Sequence, residues 1–148
     1  MKRKWVVLCS LIIVAVMLVC ALIAPWIIQQ RKTLGITLKV TDVTSESATL
    51  LCTRGIGFIA ATVDTGRYYY LERQTSNGWS RLSELSEDMA WPGDALLVPL
   101  GFTQFRLNYG EIYGKLPSGT YRVCKRFYAQ NRLGLDTSTL CYAEFTIK

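Results

Sequence analysis

The chain has 148 residues, half of them hydrophobic, and a formal net charge of +6, which is room for one core and an anchor. Lys2, Arg3, Lys4, Arg31 and Lys32 carry most of that excess, leaving 12 basic residues against 11 acids that all lie beyond residue 40. A nearly neutral domain has no basic stripe with which to displace counterions from phosphates, which argues against a nucleic-acid binder.

Residues 1–4 are a basic start. Residues 5–28 then run for 24 positions without a charge, rich in Val, Leu and Ile. As a helix this run is roughly 36 Å long, enough to cross a hydrocarbon core of about 30 Å. Trp5 and Trp26 stand near its ends, where indoles favour the membrane interface. The charge of Lys2, Arg3 and Lys4 places the N-terminus in the cytoplasm, so the expected topology is a single-pass signal anchor with the C-terminal domain outside. A cleaved signal peptide is the alternative, with Val19 and Ala21 allowing a cut after Ala21, but its apolar region is typically only about 7 to 15 residues. Lipid attachment at Cys20 is disfavoured because Val19, not a small residue, precedes it. Residues 29–33 read as a short stem.

The rest, residues 34–148, reads as strands. Ile36, Leu38 and Val40 alternate with Thr37, Lys39 and Thr41, and Ala48, Leu50 and Cys52 alternate with Thr49 and Thr53, giving two half-buried strands. Residues 54–66 fit neither period and read as a loop with an apolar plug at 56–61. A third strand covers 68–73. Ser76-Asn77-Gly78 signals a hairpin into 79–82. Residues 83–94 read as a long surface connection, followed by short strands at 95–99 and 102–108 about a turn at Gly101. After Tyr113, Leu116 and Pro117-Ser118-Gly119 lead through a turn into a strand over 121–128. A loop at 131–134 and a closing strand over 139–148 complete the chain. Seven or eight short strands with regular turn signals predict an all-β sandwich.

The run Tyr113-Gly114-Lys115-Leu116-Pro117 with Gly119, Tyr121, Arg122, Val123 and Lys125, and the final Ala143-Glu144-Phe145-Thr146-Ile147, resembles the bacterial Ig-like domains of Gram-positive surface proteins and lipoproteins. Leu116, Gly119, Thr120 and Tyr121 are also similar to the corner of fibronectin type III domains. The resemblance implies an immunoglobulin-like sandwich outside the membrane, and no catalytic residue. It also implies a tyrosine corner, in which Tyr121 is buried with its hydroxyl bonded to upstream backbone. Gly119, free of a Cβ, is expected to take a turn conformation with φ > 0.

Chemistry is scarce. Histidine is absent, which removes the commonest general base and zinc ligand. Glu84, Glu87 and Asp88 are the one acidic group resembling a glycosidase pair, on a polar loop where acids ordinarily serve solvation. Gly55/Gly57 and Gly110/Gly114 lack the Lys-Ser/Thr ending of a phosphate loop. Tyr68, Tyr69 and Tyr70 could line a sugar or peptide groove by stacking, although three consecutive strand residues must divide between two faces. Face alternation puts Cys52 and Cys141 inward and Cys124 outward beside Arg122 and Arg126, so a disulfide, if formed, joins Cys52 to Cys141. No catalytic residue, cofactor or metal is assigned. The expected function is a non-enzymatic, membrane-tethered Ig-like interaction or structural module with a protein or cell-wall partner; the alternative is an enzyme or enzyme accessory acting on cell-wall glycan.

Overall fold

The computed structural model describes residues 12–25, 33–55, 62–86, 91–130 and 136–148. The apolar plug at 56–61, the carboxylates Glu87 and Asp88, the loop at 131–134 and the flanking Trp5 and Trp26 lie outside them. Residues 12–25 are helical, and every one of them is exposed. Among the described residues no helix is long and apolar enough to cross a membrane.

Among the described residues nine strands form two sheets. The smaller sheet has the order β1 (Ile36–Thr41), β2 (Ala48–Arg54), β7 (Gly101–Leu107). The larger is built on β8 (Gly119–Gln130), which pairs along its whole length with β9 (Asp136–Ile147). On the other side of β8 lie β4 (Tyr70–Thr75), extended by β5 (Gly78–Arg81), and β3 (Thr62–Thr65), extended by β6 (Leu96–Leu97).

The count exceeds the expected seven or eight because one strand is broken in two. Asp64 pairs with Tyr128 and Tyr70 with Cys124, so residues 65–69 oppose only residues 125–127 of β8. The two surplus residues bulge out of the ladder. Part of the predicted loop at 54–66 is therefore strand: β3 has a single strongly apolar side chain, Val63, and is held by its two neighbours instead of by its own pattern.

The core lies between the sheets in two clusters. One gathers Leu50, Leu71, Leu107, Tyr109, Tyr121, Val123 and Phe145; the other gathers Ile36, Cys52, Val63, Val98, Phe127 and Cys141. The alternation of β8 decides its faces: Tyr121, Val123, Phe127 and Ala129 are buried inward, and Lys125 goes with them at 2% exposure. A short helix, Tyr109–Tyr113, follows β7 and was not expected. It fits there because Gly110 has no Cβ: one would stand 2.9 Å from the Cβ of Glu46, whose carbonyl accepts the Gly110 N–H at 2.7 Å.

Candidate functional site

The corner is built from two tyrosines. Tyr121 is fully buried and its hydroxyl donates to the Pro117 carbonyl at 2.7 Å. Tyr109, also fully buried, directs its hydroxyl to the carbonyls of Thr44 and Ser47 at the other end of the core. Phe145 lies between their rings, nearly parallel to both, with centroids 5.9 Å from Tyr109 and 5.7 Å from Tyr121. Leu116 is buried and its N–H reaches the Ser45 carbonyl at 2.9 Å. Tyr113 accepts the Leu71 N–H at 3.3 Å, while burial pushes its own pKa up to about 12. Gly119 has the expected positive φ, 158°, although it opens β8 instead of sitting in the turn, and an added Cβ would meet the Arg73 guanidinium at 3.3 Å and the Tyr121 ring at 3.5 Å.

The three tyrosines 68–70 divide between faces. Tyr69 is buried, whereas Tyr68 and Tyr70 lie outside it and flank the Arg81 guanidinium, which sits 4.4 Å from the Tyr70 ring centroid. Glu84 forms a 3.7 Å ion pair with Arg81. On the outer face of the larger sheet, Arg122 is paired with Glu72 and stacked between Trp79 and Tyr142, at 4.6 and 5.0 Å from their centroids. Cys124 belongs to this outward face, but its cross-strand partners Tyr70 and Tyr142 cover it to 2% exposure.

Cys52 and Cys141 both point inward and share the second core cluster as free thiols. Burial raises their pKa values to about 11 and about 12, and burial likewise raises that of Cys124 to about 11. All three thiols are held in the unreactive protonated form.

The feature that the residue pattern failed to flag is a cleft of about 700 Å³ beside β7. Phe105, Leu107, Ile112, Trp91 and Pro92 give it apolar walls, and Lys125 lies in its lining. The Lys125 ammonium donates to the carbonyls of Gly66 at 2.6 Å and Tyr68 at 3.3 Å, the two sides of the bulge, and stands 5.1 Å from the Phe105 ring centroid. No carboxylate pairs with it among the described residues. Burial pushes its pKa down to about 8, with Cys52 acting in the opposite sense. The other cations of the lining are engaged: Arg67 with Asp94 at 2.9 Å, and Arg106 with the Asn108 amide oxygen at 3.1 Å. Two buried donors in the same lining, the Tyr69 hydroxyl and Trp91 Nε1, have no partner among the described residues. The signal for this site was the period of β8: the alternation that buries Tyr121 and Val123 also buries Lys125.

Two sheets packed face to face, with Tyr121 bonded back to its own corner, define an immunoglobulin-like sandwich. The model of one family, the bacterial Ig-like domain, matches residues 31–146, and the chain belongs to that family. Comparison with the curated proteins finds no match.

Proposed function

We propose that this chain is a non-enzymatic interaction or structural module, held outside the cell membrane by one N-terminal helix with its N-terminus in the cytoplasm. The observation that carries the tether is the helical run 12–25. Its residues are nearly all apolar, yet Ile12, Met17, Leu18 and Leu22 are 54, 59, 60 and 79% exposed. A helix that is apolar on every side has no aqueous face and calls for an apolar surround. In sequence the uncharged run extends on both sides of it, from residue 5 to residue 28.

The module half of the reading draws on family membership and on where the polar chemistry sits. Glu84 is occupied by Arg81, and Arg122 and Glu72 neutralise one another within an aromatic stack. These are arrangements that stiffen a surface. Incubating the purified full-length chain with peptidoglycan tests the module against the glycan-enzyme alternative. Retention on the insoluble wall, or no binding, without release of soluble fragments is the expected result. Release of fragments overturns the non-enzymatic reading.

A further inference from the structure

Cleft and sheet edge coincide. Among the described residues β7 is the outer strand of its sheet, pairing with β2 on one side and with no strand on the other. The cleft is lined by four consecutive residues of β7, Gln104, Phe105, Arg106 and Leu107. Successive side chains of a strand point to opposite faces, so a cavity that touches all four runs alongside the strand's edge. An edge strand presents unpaired N–H and C=O groups at a fixed repeat, and the occupant that matches such a row is another extended backbone. The far wall carries Leu96 of β6, the outer strand of the other sheet, so the opening is the gap between the two sheet edges.

We propose that β7 accepts an extended peptide segment of another protein as a fourth strand of the smaller sheet. One apolar side chain of that segment seats between Phe105, Leu107, Trp91 and Ile112, and an acidic residue turns toward Lys125. Charge complementarity selects the acid. Among the described residues Lys125 is the buried cation of the lining without a carboxylate, and its two carbonyl partners leave one of its three N–H bonds to give. The unpartnered Tyr69 hydroxyl and Trp91 Nε1 ask for an acceptor as well, which peptide carbonyls supply. Phe102, at the start of β7, is 72% exposed and extends the apolar track beyond the cleft. The proposal rests on the interaction half of the reading above and is independent of the membrane anchor.

The test pans a phage-displayed library of random seven-residue peptides, the length of β7, against the full-length chain in detergent micelles. An enriched peptide is then synthesised in three forms: unmodified, N-methylated at alternate residues, and with its acids changed to amides. The unmodified peptide is expected to bind saturably and to slow amide exchange in residues 101–107. N-methylation, which keeps the side chains but removes backbone donors, is expected to weaken binding about tenfold or more. The amide form is expected to bind less tightly and with less salt dependence. A library with no enriched sequence overturns the proposal, as does equal binding of the N-methylated form or protection that maps to another strand. Protection of residues 101–107 that grows with protein concentration alone assigns the edge to a second copy of this chain and overturns the peptide partner. A chain found outside the membrane fraction but binding such peptides defeats the anchor and leaves this site standing.

Discussion

Lys125 donates a 2.6 Å hydrogen bond to the carbonyl of Gly66, and through it a buried ammonium closes the break between β3 and β4. Thr65 fastens the same break from the other side, donating to the Arg126 carbonyl at 2.7 Å. A bulge leaves carbonyls out of the ladder, and buried carbonyls need donors. Lys125 supplies them at the cost of desolvating its charge.

That cost makes stability depend on pH. The Lys125 pKa is about 8 in the fold and 10.5 in its ordinary state, so between those values the unfolded chain binds the proton and the folded chain does not. The contribution of Lys125 to stability therefore rises with pH in that window. Cys52, Cys124 and Cys141 act in the opposite sense, because their folded pKa values lie above the ordinary 9.0; their contribution is complete below pH 9 and is lost as pH climbs through about 11 and 12. Between pH 8 and 9 the lysine's share is a gain of up to about 1 kcal/mol, and the three thiols, which begin to ionise in the unfolded chain as pH nears 9, offset it by a similar amount. Urea unfolding at fixed ionic strength measures it. The difference between the parent and Lys125→Met isolates the lysine: from pH 8 to 9 the parent should gain up to about 1 kcal/mol relative to the variant, and a difference that stays constant with pH would assign the dependence to another group.

Removing the Tyr121 hydroxyl leaves the Pro117 carbonyl without its donor. Tyr121→Phe is expected to destabilise the domain by about 1 to 3 kcal/mol. Tyr109→Phe should cost a similar amount, since it frees the 44–47 turn. Phe145→Ala should cost about 3 to 5 kcal/mol, because it empties the space between both rings. Denaturant midpoints of the three variants check the order, and a Tyr121→Phe curve that overlays the parent would remove the corner from the list of stabilising features.

The outer thiol is protected by one ring on each side. Brief alkylation of the folded protein should leave Cys52, Cys124 and Cys141 largely unlabelled, as each is buried and protonated. Tyr142→Ala should speed labelling of Cys124 alone, since Tyr142 is its cross-strand partner. Peptide mapping by mass decides this; faster labelling of Cys141 instead would place β9 in a different register.

Period and turn chemistry made much of the sandwich legible. The alternation at 36–41 and 48–53 became β1 and β2 with Ile36, Ala48, Leu50 and Cys52 inward, and Gly78 supplies the positive φ of 108° that the hairpin needs. What escaped was structure imposed from outside the local sequence. β3 is Thr-Val-Asp-Thr, which has no pattern of its own and becomes a strand because β8 and β6 pair with it. The helix Tyr109–Tyr113 is five residues long with no side-chain cap, fixed by the approach of Glu46 to Gly110. The cleft escaped for a related reason: a lysine between Val123 and Phe127 sits on the inward period of β8, but what an inward lysine does depends on carbonyls more than fifty residues away in the chain.

The most direct test of a tethered, outward-facing Ig-like module is protease treatment of intact cells making the full-length chain with an N-terminal tag. The account predicts that the chain sediments with membranes, that external protease removes the domain spanning residues 31–146, and that a short tagged fragment stays protected inside. A soluble secreted chain beginning near Leu22, or a domain that resists protease until the cells are opened, would contradict it.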